Sequence, residues 1–230
     1  MKNKKYREIL YYLFTFIPFP ILCGRLKGKL WILGCSSKIF RFLTTTYESP
    51  VTHLFENIVK EGDVIYDIGA HVGYFTLLFS VLVGNKGKVV AFEPNKKNLE
   101  ILKRHLKINR CKNVIVVDKA VSDKTGITFF DTGDGSWTGK ISLTGEYEVE
   151  VVKLDDFISK NLIPSVIKID VEGEELNVLR GAKNLLEKYK PTIFLSTHSQ
   201  ELYEKCSVFL KSLNYEIHTI ETMKDLIIAK

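Results

Sequence analysis

The chain has 230 residues, a formal net charge of +6, 45% hydrophobic residues and 26% charged residues. That length suits one sizeable α/β domain around a single core, and the composition excludes collagen-like, low-complexity and broadly disordered chains. The cysteines Cys23, Cys35, Cys111 and Cys206 are scattered, with no C-x-x-C pair and no zinc spacing. A disulfide scaffold and a structural zinc are therefore set aside, and a reducing cytoplasm is the expected location.

Residues 1–50 read as a basic and apolar cap segment ahead of a domain over 51–230. Lys2, Lys4, Lys5, Arg7, Arg25, Lys27 and Lys29 carry much of the charge excess. The run from Ile9 to Cys23 contains two prolines and no A-x-A-like cleavage site. It is too short and too broken for a spanning helix, which needs ~20 apolar residues. The readings, in order, are a cap packed on the domain, an interfacial helix in peripheral membrane contact, and an export signal. No nucleic-acid motif accompanies the basic segment, so no nucleic-acid partner is expected.

From Asp63 the pattern becomes regular. D-V-I-Y-D-I predicts a buried strand ended by Gly69, and V-G-Y-F-T-L-L-F-S-V-L-V predicts a helix that is apolar nearly all round. K-V-V-A-F-E is the second strand. An amphipathic helix follows, with Asn95 as N-cap and Leu99, Leu102 and Leu106 inside. N-V-I-V-V-D is the third strand.

I-T-F-F-D and Y-E-V-E-V-V-K-L alternate like antiparallel strands around a polar loop suited to substrate contacts. L-D-D-F-I-S starts a short helix, S-V-I-K-I-D is the fourth strand, and residues 174–189 predict one helix. P-T-I-F-L-S is the fifth strand. A last helix runs over about 200–213, and two final strands form a hairpin.

Such alternation predicts a mostly parallel sheet covered on both faces, with ligands at the carboxyl ends of the strands. Asp67, Glu93, Asp118, Asp170 and Ser196 then share one rim. The turn reads D-x-G-x-x-x-G, with Asp67, Gly69 and Gly73, and not the G-x-G-x-x-G of dinucleotide sites. A carboxylate there suits S-adenosylmethionine, whose ammonium group can donate to it, and opposes a diphosphate. Glu93 is placed to accept from ribose hydroxyls, which both cofactors carry.

The segments D-I-G-A-H-V-G-Y-F, A-F-E-P-N, A-V-S-D-K-T-G and I-K-I-D-V-E-G-E-E-L-N-V-L-R-G resemble FkbM-type methyltransferases in order and spacing, over at least 47–195. The resemblance implies a Rossmann-like class I methyltransferase: α/β, with a mostly parallel seven-stranded sheet, helices on both faces and an antiparallel C-terminal hairpin. It implies S-adenosylmethionine as donor and a hydroxyl of a glycan or other small-molecule acceptor as target. Asp67, Gly69, Ala70, Gly73, Glu93 and Pro94 would bind the donor, with Asp118, Lys119 and Ala120 near its adenine. Asp170 and Glu172 match the fourth-strand acids. Family members often carry a glutamate and then a histidine near the end of the fifth strand; here Ser196 stands in the acid's place and His198 is kept.

An alcohol is a poor nucleophile until its proton is taken, so a positioned base is expected among Asp170, Glu172, His198 and Glu48. Lys168 reads as a structural ion pair, and Tyr74 and Phe75 as core packing or as a wall of the site. His71, Asp170 and His198 form the one set that suggests a metal. No ligand spacing compels it, and none is expected. Two alternatives stand beside the methyltransferase reading: an NAD(P)-dependent oxidoreductase on a similar sheet, and a non-catalytic methyltransferase-like binding module.

Overall fold

The structure, a computed structural model, describes residues 17–32, 49–131, 139–142, 144–158, 162–220 and 223–230. Glu48 and most of the polar loop after Asp131 lie outside the described residues. Strands β1 (Pro18–Pro20) and β2 (Leu30–Ile32) pair as a small antiparallel hairpin, followed by helix α1 (Ser49–Ile58). Then come β3 (Val64–Ile68), α2 (Tyr74–Val83), β4 (Lys88–Phe92), α3 (Lys96–Ile108) and β5 (Val114–Val117). A second group follows: β6 (Ala120–Val121), β7 (Gly126–Asp131), β8 (Lys140–Ser142), β9 (Tyr147–Val152) and the one-turn α4 (Leu154–Phe157). The chain closes with β10 (Val166–Ile169), α5 (Glu175–Gly181), α6 (Lys183–Tyr189), β11 (Thr192–Ser196), α7 (Gln200–Ser212), β12 (Ile217–Ile220) and β13 (Met223–Ala229).

The main sheet has seven strands in the order β12-β13-β11-β10-β3-β4-β5. Strands β11-β10-β3-β4-β5 are parallel, and β13 and β12 continue the sheet antiparallel, as the final hairpin pattern predicts. The strand order reverses between β3 and β10, and that reversal leaves a crevice at their carboxyl ends. Strands β6-β9-β7-β8 form a separate sheet.

Period-two alternation sorts the strand residues onto two cores. Tyr66, Ile68, Ile167 and Ile169 face the core built with α5, α6 and α7. Ile65 and Val166 face the other, with Phe55 of α1, Phe75 and Phe79 of α2 and Trp31 of the hairpin. Phe55 meets Phe79 edge-on at 4.7 Å and lies 4.4 Å from the Phe194 ring.

The single helix expected over 174–189 is broken at Ala182, whose backbone leaves helical geometry at φ −110 and ψ 8. Gly181, just before the break, makes a close approach: a Cβ on it would sit 2.0 Å from the Ser122 carbonyl oxygen. The second piece has its own cap. The Asp155 carboxylate accepts from the Asn184 and Leu185 N–H groups at 3.0 and 2.8 Å. In α3 the Asn95 side chain accepts from Lys97 and Asn98, as the sequence predicts.

The apolar, basic start is described only from residue 17. In that part Ile21, Leu26, Trp31 and Ile32 are buried, while Leu22, Arg25 and Lys27 are exposed. No helix among the described residues is long and apolar enough to cross a membrane.

Candidate active site

The crevice at the reversal point is a cavity of about 380 Å³, within the range of small-molecule sites. The turn between β3 and α2 forms its floor. Gly69 and Ala70 donate their N–H groups to the Phe92 carbonyl at 3.1 and 3.0 Å, which stitches the turn to the end of β4. His71 takes a left-handed backbone, φ 52, and its N–H donates to Glu93 Oε2 at 2.7 Å. Gly69 is required by a close approach, because a Cβ there would lie 1.9 Å from the Asp170 carbonyl oxygen. Gly73 precedes α2, where a Cβ would strike Leu102 of α3 at 2.4 Å. Gly73 therefore brings two helices together and is absent from the cavity wall.

Glu93 lies on the wall and is 5% exposed. Its Oε1 accepts from the Asn95 N–H at 2.9 Å and from Asn98 Nδ2 at 3.4 Å. Its Oε2 accepts from His71 and keeps lone-pair capacity for one further donor. Burial pushes its carboxyl up to about 7, against the opposing effect of the hydrogen bonds from Asn95, His71 and Asn98.

Asp67, expected from sequence to accept from the donor's ammonium group directly or through water, lies beneath the turn. It shares the α2 face of β3 with Ile65, is fully buried, and is not on the cavity wall. Its carboxylate accepts from Thr76 Oγ1 at 2.6 Å and pairs with Lys168 Nζ at 3.1 Å. Lys168 in turn donates to the Gly69 carbonyl at 3.2 Å and approaches Asp170 Oδ2 at 3.6 Å. The lysine is thus the ion-pair partner that the sequence reading favoured.

Asp170 and Glu172 line the far end of the cavity, with Glu174 beside them. His198 stands behind them, off the wall. Its Nε2 is 3.5 Å from Glu172 Oε2 and 3.8 Å from Asp170 Oδ1. Its Nδ1 is 2.5 Å from Oε1 of Glu175, a fully buried carboxylate. The hydrogen bond to Glu175 chiefly, with the charges of Glu172 and Asp170, holds the imidazole up at about 9. Among the described residues no group of three or more His, Cys, Asp and Glu side chains is arranged to hold a metal ion.

Of the other residues singled out from sequence, Ala70, Pro94, Lys119 and Ala120 line the cavity, as do Tyr74 and Phe75. Asp118 is exposed and off the wall. Ser196 ends β11 opposite Leu226, also off the wall. Gly139, from the polar loop expected to meet substrate, lines the cavity; sequence reasoning missed Phe130 and Ile141, which bring the small sheet to it. It also missed Glu175. A signal for Glu175 existed: Val178, Leu179 and Ala182 recur three, four and seven positions later, which puts the glutamate on the buried stripe.

The comparisons agree with this geometry at the level of the fold. The FkbM methyltransferase from Methylobacillus flagellatus superposes with a TM-score of 0.56 at 18% identity, over 84% of this chain and 52% of that one. Fibrillarin from Aeropyrum pernix, crystallised with natively bound S-adenosyl-L-methionine, superposes with a TM-score of 0.51 at 15% identity, over 79% of this chain and 74% of that one. The fold is therefore the Rossmann-like class I methyltransferase fold.

The methyltransferase FkbM domain matches residues 67–224, and the chain belongs to that family. It is similar to the hexuronic acid methyltransferase AglP of Haloferax volcanii, 29% identical over 65% of this chain. It is also similar to the 31-O-demethyl-FK506 methyltransferase FkbM of Streptomyces tacrolimicus, 29% identical over 55% of this chain. The match spans 62% of the length of each of these relatives.

Proposed function

We propose that the chain is an S-adenosylmethionine-dependent methyltransferase that O-methylates a hydroxyl on a glycan or other small-molecule acceptor. The observation that carries the choice of cofactor is the charge on the cavity wall. Three carboxylates, Asp170, Glu172 and Glu174, line it, with Glu93 joining them as its carboxyl ionises about pH 7. The two ammonium groups among the described wall residues are already paired, Lys168 with Asp67 and Lys119 with Glu150 at 2.6 Å. Such a wall favours a cationic ligand and opposes a diphosphate. Asp67, buried beneath the turn, adds nothing to this charge on the wall.

The residues fit the donor. Glu93 would accept from a ribose hydroxyl through its remaining Oε2 lone pair, and the backbone at Gly69 and Ala70 leaves room beside it. When bound, the donor supplies an electrophilic methyl group. The chain's own part is to hold the acceptor oxygen and take its proton, for which Asp170 and Glu172 stand on the wall. The FkbM and AglP relatives, named for 31-O-demethyl-FK506 and for a hexuronic acid, support an oxygen-rich acceptor.

Isothermal titration with S-adenosylmethionine and with NADH tests the cofactor. Label transfer from methyl-labelled donor to hexuronic acids and other hydroxylated small molecules tests the chemistry. NADH binding without S-adenosylmethionine binding overturns the proposal.

The same reading includes peripheral lipid contact through the N-terminus, supported by exposed Leu22 beside exposed Arg25 and Lys27. Flotation with anionic vesicles, with and without the first thirty residues, tests it. Equal flotation of the two forms overturns it.

A further inference from the structure

The candidate base His198 is not on the cavity wall, and its two ring nitrogens have different surroundings. Nδ1 is 2.5 Å from Glu175 Oε1, inside the protein, and that oxygen also accepts from the Gly173 N–H at 3.2 Å. Glu175 Oε2 has no hydrogen-bond partner. A fully buried carboxylate so sparsely solvated needs a cation in contact with it, and His198 is placed to be one. Nε2 points the other way, to Glu172 at 3.5 Å and Asp170 at 3.8 Å. A neutral imidazole donating from Nδ1 would turn its Nε2 lone pair on those two carboxylates, which is repulsive. An imidazolium satisfies all three.

We infer that Glu175 is a positioning residue that fixes His198 as an imidazolium, with its Nε2–H directed at the wall carboxylates Asp170 and Glu172. His198 then acts through those carboxylates and is not the proton acceptor. It has no free lone pair, and the acceptor's proton goes to a wall carboxylate. Asp170 is bracketed by two cations from opposite sides, Lys168 at Oδ2 and His198 at Oδ1. A continuous chain of charge contacts therefore runs from Asp67 under the donor turn through Lys168, Asp170 and His198 to Glu175. The inference deepens the proposed function and rests on its assignment of the carboxylate end of the cavity to the acceptor.

The groups that face His198 are Glu175 from α5, and Asp170 and Glu172 from the β10–α5 link, with Lys168 behind Asp170. The Cys206 thiol of α7, pushed up to about 12 chiefly by burial, also feels the Glu175 charge. The upward shift of His198 follows from the same arrangement and supports it.

The test is an NMR titration of the full chain with labelled histidine, His198 being assigned by its loss in His198→Gln. In the wild type His198 should titrate at least about one unit above a free imidazole, and its Nδ1 should show a strong hydrogen bond. Glu175→Gln should lower that midpoint by about one unit or more, and Glu175→Asp should recover part of the shift. A wild-type midpoint at or below that of free imidazole overturns the inference without recourse to any variant. A midpoint that Glu175→Gln leaves in place does the same. Calorimetric titration with S-adenosylmethionine runs in parallel. Absence of donor binding to the wild type sinks the functional proposal while leaving the histidine result to be judged on its own.

Discussion

Lys168 and Asp67 are register partners in adjacent parallel strands, and their side chains meet at 3.1 Å inside the apolar core beneath the glycine turn. Both side chains are buried, 6% and 0% exposed. Removing one partner strands the other's charge, which costs about 3–5 kcal/mol, whereas removing both costs much less. Lys168→Met should therefore destabilise by that order in urea denaturation, and Asp67→Asn combined with it should recover most of the loss. Because Asp67 is off the cavity wall, Asp67→Asn in folded protein should change donor affinity by less than about tenfold. A larger loss would put the carboxylate in direct contact with the donor after all.

Glu93 should make donor binding depend on pH in a stated direction. Its folded value is about 7, against an ordinary 4.5. Protonation removes acceptor capacity from Oε2, so S-adenosylmethionine affinity should rise with pH and level off above about 7, falling up to tenfold per unit below it. Glu93→Gln should weaken binding and flatten that dependence. Calorimetry over this pH range reads both, and an unchanged slope in the variant sinks the assignment.

Much of the fold was legible because each strand is short, apolar and closed by a breaker, and α3 carries its own cap. The N-terminal hairpin was not legible: its strands are three residues long, too short for a period to show. Helix α1 was missed as well, although Pro50 at its start is a helix-opening signal. The break at Ala182 follows Gly181, a weak point inside the helical pattern, but the glycine's close approach to the distant Ser122 carbonyl is revealed by no local pattern. The buried placement of Asp67 was legible in principle, since alternation puts it on the same face as Ile65. An acid beside a glycine turn equally suits a ligand contact, and only the fold decides between the two. For His198 the residue was evident, but its placement behind the wall needs the contact between α5 and the end of β11, which only the tertiary structure supplies.

His105 should hold the N-terminal hairpin to the domain. Its Nε2 accepts from the Ile32 N–H at 3.0 Å, its Nδ1 lies 2.8 Å from the Val72 carbonyl, and its ring stacks on Trp31 at 3.8 Å between centroids. Burial pushes it down to about 4 from 6.5. The unfolded chain therefore takes up the proton first as pH falls, so the stability from this group is complete above 6.5 and lost as pH drops towards 4. Glu93 has the opposite sign: between 4.5 and 7 the folded chain holds a proton the unfolded one has released, so its contribution falls as pH rises. The two slopes oppose each other where their windows overlap. His105→Phe keeps the stacking but strands two backbone groups, and should cost about 2–4 kcal/mol. It should also expose the Glu93 slope, making stability fall more steeply with rising pH in urea melts. Faster proteolysis within residues 17–32 should accompany it.

Three glycines separate conformation from contact. Gly62 has φ +92 with nothing within 4 Å of an added Cβ, so Gly62→Ala should cost only the left-handed backbone, about 1–2 kcal/mol. Gly181 carries a contact cost alone, with its Cβ 2.0 Å from the Ser122 carbonyl, and Gly181→Ala should cost about 2–3 kcal/mol as the two segments part. Gly69 combines both, at φ +77 and 1.9 Å from the Asp170 carbonyl. Gly69→Ala should exceed about 4 kcal/mol and, in whatever fraction folds, should displace Asp170 and lower turnover more than donor affinity. Urea denaturation of the three variants gives the ranking. If Gly62→Ala proves as costly as Gly181→Ala, close approach is not what holds α5 to the small sheet or the glycine turn to β10.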